Sequence, residues 1–468
     1  MKKSRLFTLL TASLVLSMNI LTGCGSDNYK NTEKVTPENY ASVTIKGIDD
    51  DVMPVAGFLG PNDSYTHNGY KYPSTQTKAV YDKISAAGVN LIIDMRQDLA
   101  NLADGNDVDT ALTLAAESNI QYILKDSTII DVHSTDPSAA FVADSSVMAN
   151  RIQQLYSQYE SLSGIYVRDE PAKVLFEPIE KALENFNTAN ETAGTDYTVY
   201  TNLFPPTIGT LLSGDGTSIT YDTYLDEFCK TNPPYLMYDM YPFYGEEGSI
   251  DATWFIQLAR IREKANDENI PFWLWLQVGG RWPDAQHLRI PTEADLLWSI
   301  NTALSMGAKG LGYFALCMPP EHLAGIESPY YAGLINQFGS TNPAYYHAKK
   351  AAKQIQAVDE ILMKSQNLGL INHGESPCTM SGEYLLTEFR QLKSIESSGA
   401  CVVGCFDYNG GTALYVVNNS VSDKNSFTLN FDGRYGYDVI QRGEKFFASG
   451  KNLTVTLEAG EGALVTLR

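Results

Sequence analysis

Carboxylate side chains stand where short apolar runs of the sequence end, and they are the residues best suited to do chemistry. Asp169 and Glu170 close one such run, and Asp239 lies near the end of another. Other polar residues hold similar positions: Asp94, Asp126, Asn202, Tyr241, Gln277 and Arg281. Hydrolysis of an acetal needs two carboxyl groups beside the scissile bond, one protonated and one ionised. The pattern therefore favours cleavage of glycosidic bonds.

The sequence lacks the motifs that other hydrolytic chemistries need. It has six histidines, no Gly-x-Ser-x-Gly motif for a serine nucleophile and no glycine-rich phosphate loop. Residues 104–109 resemble a calcium loop only superficially, because they fail the EF-hand spacing, and we interpret them as a turn before a helix. The cysteines show no zinc-site spacing. We therefore predict no cofactor and no metal site.

The apolar runs that end in these polar residues recur roughly every 36 residues and alternate with amphipathic segments. The runs are Met53–Phe58, Asn90–Met95, Gln121–Lys125, Gly164–Arg168, Tyr197–Asn202, Tyr235–Tyr241, Pro271–Gln277 and Lys309–Leu316. The helical patterns are Thr75–Ala87, Asp109–Ser118, Ala139–Glu160, Phe176–Thr192, Tyr221–Lys230, Ile250–Asn266, Thr292–Met306 and Pro343–Met363. Eight strands alternating with eight helices predict an α/β fold, the (β/α)8 barrel, with its active site at the C-terminal ends of the strands. A doubly wound sheet remains the alternative.

From about Leu368 the pattern changes to short β-rich segments separated by turn signals such as Asn409-Gly410-Gly411. The segments are Glu383–Arg390, Ala400–Asp407, Thr412–Asn418, Ser426–Phe431, Tyr437–Arg442, Leu453–Leu457 and Gly462–Leu467. They predict a C-terminal antiparallel β-sandwich. We expect the barrel to span residues 49–366 and this second domain to span residues 367–468.

The N-terminus carries a targeting signal. Three positive residues precede an apolar run that reaches about Ile20, a length typical of a signal peptide and short for a membrane span. Leu21-Thr22-Gly23-Cys24 follows and resembles the lipobox of bacterial lipoproteins. The resemblance implies removal of residues 1–23 and a lipid on Cys24, which would anchor the protein to the outer face of the cell membrane. An ordinary secretory signal is the alternative. Residues 24–48 are predicted to be a flexible tether.

The composition limits the partners. A formal charge of -21 over 468 residues argues against nucleic acid and favours neutral substrates. Beyond Cys24, five widely spaced cysteines are expected to be buried free thiols, and a disulfide that involves Cys378 stays open because an extracytoplasmic compartment is oxidising. The expected partners are a carbohydrate substrate and the membrane, reached through the lipid.

Several of these segments are similar to glycoside hydrolases of clan A, in particular to barrel enzymes related to the β-galactosidase-like groups. Asp169-Glu170-Pro171 looks like the Asn-Glu-Pro triplet at the acid/base position of that clan. The other similar segments are 239–242, 289–292, 303–310 and 313–314 in the barrel, and 412–419 and 458–462 in the C-terminal domain, which resembles the β-domain of many barrel glycosidases. The resemblance implies that Glu170 is the catalytic acid/base.

Two positions depart from the clan pattern. Asp169 replaces the usual asparagine, so while ionised it accepts but does not donate a hydrogen bond. Gln277 stands at the end of the seventh strand, where the clan carries its nucleophilic glutamate, and an amide cannot serve as that nucleophile. We take Glu170 as the general acid and Asp239 as its partner, either base or nucleophile. Asp94 and Asp126 are reserves that we expect to bind sugar or to be structural.

Aromatic residues form the second part of the candidate site, because sugar rings stack their C–H faces on aromatic rings. Tyr241 and Trp282 are the aromatic candidates for substrate binding. The polar candidates, which would bind hydroxyl groups, are Asp169, Asp94, Asp126, Asn202, Gln277 and Arg281. Trp273 and Trp275 are expected to fill the barrel or its helix interface.

Three functions are compatible with this pattern. We favour a glycoside hydrolase that acts on extracellular oligo- or polysaccharides. Gln277 and Asp169 keep open a carbohydrate-binding lipoprotein without catalysis. A solute-binding lipoprotein of a transporter would need two α/β lobes, and the single run of eight strand–helix units argues against it.

Overall fold

The structure is a computed structural model that describes residues 41–67, 69–133, 135–206, 209–281, 288–317, 330–331 and 333–468. The predicted signal peptide, Cys24 and Trp282 lie outside the described residues. Among those that are described, no helix has the length and apolar character needed to cross a membrane.

Eight parallel strands form a nearly closed barrel, which confirms the predicted fold. They are β1 (Val55–Phe58), β2 (Leu91–Asp98), β3 (Gln121–Lys125), β4 (Leu162–Asp169), β5 (Thr198–Asn202), β6 (Leu236–Met240), β7 (Phe272–Gln277) and β8 (Gly310–Phe314). Each strand pairs with the next in sequence, and β8 pairs with β1. Between β5 and β6 the closure is a single bridge, in which Leu203 N donates to Met237 O at 2.7 Å.

In the described part of the chain, eight α-helices alternate with the barrel strands. They are α1 (Lys78–Ala86), α2 (Asp107–Glu117), α3 (Ser145–Gln154), α4 (Phe176–Ala193), α5 (Tyr221–Cys229), α6 (Trp254–Glu268), α7 (Glu293–Ser305) and α8 (Pro343–Met363). The third is shorter than the predicted Ala139–Glu160, because Phe141–Val142 pairs with Ile130–Asp131 in a small hairpin before the helix begins. α7 begins with a capping box between Thr292 and Asp295, which satisfies backbone N–H groups of its first turn.

The interior of the barrel is filled by aromatic side chains. Trp273 and Trp275 are 0% and 1% exposed, which confirms their predicted role as filling. Each lies over a glycine of β8: a Cβ atom on Gly310 would be 2.3 Å from the Trp273 ring, and one on Gly312 would be 2.2 Å from Trp275. The glycines of β8 therefore make room for the two indoles at close packing density.

The N-terminal segment closes the bottom of the barrel. Ile45 is buried against the barrel interior, and Lys46 Nζ donates to the carbonyl of Leu162 at 3.1 Å. Ser163 Oγ donates in turn to Lys46 O at 2.6 Å. Residues 45–48 therefore belong to the folded part of the chain, since they contact the barrel through a buried side chain and hydrogen bonds. The predicted tether, residues 24–48, extends too far toward the barrel by these residues.

The C-terminal domain is antiparallel, as predicted, and its strands form one curled sheet. They are β9 (Ser365–His373), β10 (Leu392–Ser397), β11 (Cys401–Tyr408), β12 (Gly411–Asn418), β13 (Asn425–Gln441), β14 (Glu444–Leu457) and β15 (Gly462–Leu467). The 17 residues of β13 pair first with β10 and then with β15 along one edge, while β14 pairs with the other edge. The sheet thus bends around a single apolar core.

Two segments of this domain differ from the prediction. Glu383–Arg390 is not a strand; it holds isolated bridges and a turn, and Arg390 has a positive φ of 47°. The first strand, β9, was missed because its residues follow α8 after a single residue. The five cysteines in the described part of the chain are free and buried, which confirms the expectation of buried thiols.

The curled sheet packs on α7 through specific hydrogen bonds. Trp298 Nε1 donates to Asn419 Oδ1 at 2.8 Å, and Asn301 Nδ2 donates to Gly460 O at 2.8 Å. Tyr415 OH donates to Asn301 Oδ1 at 2.7 Å. The polar groups that the interface buries are therefore paired, which avoids the cost of burying them unsatisfied.

Candidate active site

A β-bulge in β4 aims Asp169 into the barrel mouth. Tyr166 pairs with Tyr200 and both point into the barrel, but beyond the bulge Arg168 pairs with Thr201, and Asp169 pairs with Asn202. The extra residue reverses the alternation of side chains, so Asp169 joins Asn202 on the inner face. Without the bulge Asp169 would point toward the helices.

Glu170 stands at a strained turn directly after this strand. Its φ of 47° is left-handed, a conformation that is uncommon for residues other than glycine and that recurs at functional sites. The backbone N–H of Glu170 donates to Asn202 O at 2.8 Å, which extends the β4–β5 ladder by one bond. The turn fixes the direction of the Glu170 side chain.

Asp239 reaches the same mouth from β6. Tyr235 and Met237 point into the barrel, so Asp239 follows on the inner face two residues later. Asn202 Nδ2 joins the two strands, since it donates to Asp239 Oδ1 at 2.6 Å and to Asp169 Oδ1 at 3.0 Å. Glu170 follows Asp169 directly in the chain, and its charge contributes to the raised pKa of Asp239. Two carboxyl groups therefore share one amide, with the third beside them.

The electrostatics of this group favour protonated carboxyls at neutral pH. Burial, and after it the charge of Asp169, raises the pKa of Glu170 to about 7. Burial and then repulsion from Asp169 and Glu170 raise the pKa of Asp239 well above its usual range. Because neighbouring carboxyl groups resist additional negative charge, Glu170 and Asp239 keep protons at a higher pH than isolated acids do.

Asp169 is the most strongly stabilised anion of the three. Burial raises its pKa to about 6, against the hydrogen bond from Asn202 and the positive charge of Arg168. The Tyr200 hydroxyl, on the same inner face, accepts from Trp275 Nε1 at 3.0 Å. At pH 7 Asp169 is therefore ionised beside a pair that holds a proton.

Aromatic side chains form part of the wall around the carboxyls. Tyr241 stacks on Phe314 with ring centroids 5.5 Å apart, and Phe314 packs against Phe58 at 5.7 Å. Tyr241 and Phe314 are partly exposed, as are all three acids. The mouth thus combines apolar ring faces with carboxyl groups, the two surfaces that a sugar needs.

Asp94 and Asp126, predicted as substrate ligands, do not join this cluster, because both have structural partners. Asp94 is fully buried, accepts from Gly60 N at 2.7 Å and pairs with Arg96 at 3.0 Å. Asp126 is also fully buried and accepts from Arg151 Nε at 2.8 Å and from Tyr156 OH at 3.1 Å. These bonds hold loops at the C-terminal ends of β2 and β3.

Gln277, another predicted substrate ligand, is a structural residue of the loops. Its Nε2 donates to the carbonyls of Phe243 at 3.0 Å, Gly279 at 3.2 Å and Arg289 at 2.8 Å, and its Oε1 accepts from Phe243 N at 2.9 Å. With its side chain 3% exposed, the amide has no free group for a sugar.

The remaining predicted residues divide as follows. Asn202 lies in the cluster, and its buried Oδ1 has no hydrogen-bond partner among the described residues. Arg281 pairs through its backbone with Tyr330, but its side chain lies outside the described part of the structure, as does Trp282. The sequence reasoning missed Tyr200. Its signal was available, because Tyr200 stands two residues before Asn202 in one strand and so shares its face.

The solved structures that the chain resembles include glycoside hydrolases. A catalytic mutant of a GH42 β-galactosidase from G. stearothermophilus matches with a TM-score of 0.53 at 7% identity, over 91% of this chain and 100% of that one. A β-galactosidase from Marinomonas ef1 (TM-score 0.46, 10% identity) matches over 68% of this chain, which spans 63% of that enzyme. A family 39 glycoside hydrolase from Bacteroides cellulosilyticus matches with a TM-score of 0.46 at 11% identity. The match covers 90% of this chain and 82% of that enzyme.

No protein-family model and no curated protein sequence matches the chain. The likeness to the GH42 enzyme, at 7% identity, shows the fold and leaves the activity to be argued from the site. Within the described residues, no group of three histidines, cysteines or acids is arranged to hold a metal ion.

Proposed function

We propose that the protein is a glycoside hydrolase that acts on extracellular oligo- or polysaccharides, with Glu170 as the general acid. The observation that carries this proposal is the convergence of Glu170, Asp169 and Asp239 at the mouth of a barrel. A fold shared with glycoside hydrolases supports it, and so does the aromatic wall. The formal charge of -21 favours neutral glycans over polyanions.

Glu170 suits the role of acid because its raised pKa keeps a proton available near neutral pH. It would give this proton to the glycosidic oxygen as the C–O bond breaks. Asp239 is its partner. It would act as base or nucleophile, and it shares the amide of Asn202 with Asp169, the chain neighbour of the acid. A separation of about 5 Å between the carboxyl groups of Glu170 and Asp239 would give retention of configuration, and about 6.5–9.5 Å would give inversion.

The test is hydrolysis of a panel of aryl glycosides and oligosaccharides by the wild-type protein and by Glu170→Gln. We expect the substitution to lower kcat by about 10²–10⁴-fold without lowering Tm. Glu184→Gln, at an exposed position of α4, is the matched control and should keep wild-type activity. Full activity in Glu170→Gln would refute the assignment.

A second function, sugar binding without cleavage, is favoured by one observation: the place of the clan nucleophile holds Gln277, whose amide is engaged by loop backbone. Isothermal titration calorimetry with the same oligosaccharides separates the two functions. Affinity without turnover in the wild-type protein would favour binding alone.

We also propose that Cys24 carries a lipid, as the N-terminal signal indicates. This lipid would anchor the protein to the membrane outside the cytoplasm. In the bacterial cell, the wild-type protein should sediment with membranes and incorporate radiolabelled palmitate. Cys24→Ser should abolish labelling and release the protein from the membrane fraction or leave it unprocessed. Labelling that survives Cys24→Ser would disprove the anchor.

A further inference from the structure

Exposed apolar side chains are concentrated at one end of the barrel. Among the described residues, eleven large apolar side chains are exposed. Nine of them lie at the end of a barrel strand, in the loop that follows it or in the first turn of the next helix, and the other two, Phe446 and Phe447, lie on β14. The segments after the strands form the C-terminal face of a (β/α)8 barrel, which here carries Asp169, Glu170 and Asp239. Such a concentration of exposed apolar surface marks an interaction site.

Four aromatic rings on this face form one continuous surface. The loop after β1 folds into a small antiparallel hairpin in which Tyr65 lies opposite Tyr72, and their rings stack with centroids 4.8 Å apart. Tyr70, two residues before Tyr72, shares that face of the hairpin. Phe338, from the loop after β8, adds its ring at 5.8 Å from that of Tyr72. Tyr70 is 72% exposed and Phe338 is 58% exposed, so this hairpin surface, formed by Tyr65, Tyr70, Tyr72 and Phe338, presents ring faces to solvent.

Hydrogen bonds at the base of each loop hold the hairpin surface in place. Asn62 N donates to Thr75 Oγ1 at 2.9 Å, and Thr75 N donates to Asn62 O at 2.8 Å, which closes the base of the hairpin. In the second loop, Asn336 Oδ1 accepts from Phe338 N at 2.9 Å and from Ser340 N at 3.0 Å. Rings presented by such fixed loops lose little conformational entropy when a ligand binds.

A row of aromatic rings leads from the acids to the hairpin surface. Tyr241 stands two residues after Asp239 and stacks on Phe314 at 5.5 Å. Phe314, at the end of β8, packs on Phe58 at 5.7 Å. Phe58 ends β1, and the chain runs from it into the hairpin that begins at Tyr65. The hairpin surface therefore continues the aromatic wall of the candidate active site across β8 and β1.

We propose that the hairpin surface binds the distal sugar residues of a glycan chain whose scissile bond lies at the acids. This inference rests on the proposed glycosidase function and names its substrate class, which is a long neutral chain and not the glycoside of a single sugar. Sugar rings offer their C–H faces to aromatic rings. A neutral chain also suits the formal charge of -21, which repels polyanions.

The position of the N-terminal segment argues for a glycan over a membrane as the occupant. Lys46 Nζ donates to the carbonyl of Leu162, the first residue of β4. The segment that leads back to Cys24 therefore meets the barrel at the N-terminal ends of its strands. The hairpin surface lies at the other end, on the same face as the acids, where a chain held at the acids can reach it.

The experiment measures how activity depends on chain length. The substrates are 4-methylumbelliferyl monoglycosides and oligosaccharides, from disaccharide to hexasaccharide, of the neutral gluco, manno, xylo and galacto series. On the series that the wild-type protein cleaves, kcat/KM should rise with chain length. Tyr70→Ala and Phe338→Ala should each lower kcat/KM on the hexasaccharide by about 10-fold, the size of an aromatic stacking contact. Both variants should keep wild-type activity on the monoglycoside and an unchanged Tm.

Two further variants serve as controls. Tyr70→Phe keeps the ring and should keep the wild-type dependence on chain length. Phe447→Ala removes a ring that is 60% exposed on β14, far in sequence from the barrel loops, and should change neither activity. Binding to phosphatidylcholine–phosphatidylglycerol vesicles and the mass in solution are measured for the wild-type protein and for Tyr70→Ala.

The inference and the function beneath it fail in different ways. Losses in Tyr70→Ala and Phe338→Ala that are absent, or equal on short and long substrates, would overturn the inference and leave the glycosidase function standing. Vesicle binding or dimer formation that Tyr70→Ala abolishes, without an effect of chain length, would assign the surface to a membrane or a second copy and would also overturn it. Cleavage of no substrate by the wild-type protein would overturn both.

Discussion

At the scale of the residue, the site is defined by one amide among three acids. Asn202 Nδ2 bonds both Asp169 and Asp239, and Glu170 follows Asp169 directly in the chain. Such a cluster is electrostatically costly, because each added negative charge raises the pKa of the others. The arrangement separates an ionised Asp169 from a protonated pair, and a division of this kind marks the acid and base assignments of an active site.

The pH dependence of catalysis follows from these pKa values. Asp169, with its pKa raised to about 6, must be ionised, so activity should fall as pH drops below that value. Glu170, with its pKa raised to about 7, must be protonated, so activity should fall as pH rises above it. We expect a bell-shaped profile of kcat/KM with its maximum between these limits. A rate that keeps rising toward pH 9 would contradict the assignment.

The sequence predicted Glu170 and Asp239 because both stand at the ends of apolar runs, where a barrel gathers its active site. The same rule selected Asp94 and Asp126 as reserves, and the structure gives both residues structural partners outside the cluster. A position at a strand end predicts where a residue lies but not where its side chain points. Asp94 pairs with Arg96 and Asp126 with Arg151. These ion pairs depend on loop conformations, which hydrophobic periodicity does not predict.

At the scale of the element, two local backbone features shape the mouth of the barrel. The bulge in β4 turns Asp169 inward, and the left-handed turn at Glu170 directs the next side chain. Neither has a signal in the hydrophobic pattern, since a bulge changes register by one residue without changing composition. Strand positions were predicted well for the opposite reason, because strands buried on both faces read as continuous apolar runs.

Gln277 provides a test of the structural role given to the end of β7. Gln277→Glu would turn a carboxylate oxygen toward three backbone carbonyls that now accept from the amide. We expect it to lower the free energy of unfolding by about 2–4 kcal/mol and to add no activity. Gln153→Glu, at an exposed position of α3, should be neutral in the same urea titration. A gain of turnover in Gln277→Glu would mean that this side chain faces the substrate.

At the scale of the whole molecule, the curled sheet supports the barrel through α7. Gly460 lies at the contact with a positive φ of 70°, and a Cβ atom there would be 2.3 Å from Ala294 O and 2.6 Å from Trp298 N. This close approach gives a physical reason for the Glu458–Gly462 motif. The curl of the sheet was not readable from the sequence, because Ser426–Phe431 and Tyr437–Arg442 look like two strands yet join into the single strand β13.

Gly460→Ala should therefore weaken the joint between the two domains. We expect a loss of about 3 kcal/mol or more in unfolding free energy, from the backbone strain together with the overlap. Gly410→Ala is the matched control: its φ is 75°, but nothing lies within 4 Å of the added atom, so only the strain of about 1–2 kcal/mol is expected. Equal losses in the two variants would show that the contact with α7 does not matter.

The central claim is that Glu170 is a general acid. Its most direct test is how the loss of activity caused by Glu170→Gln depends on the leaving group of the substrate. The measurement is the ratio of kcat/KM between wild type and Glu170→Gln on 2,4-dinitrophenyl and 4-methylumbelliferyl glycosides of one sugar. A dinitrophenolate leaves without a proton, so we expect a small ratio there and a ratio of about 10²–10⁴ on the poorer leaving group. A ratio that is the same for both substrates, whether large or close to one, would contradict the claim.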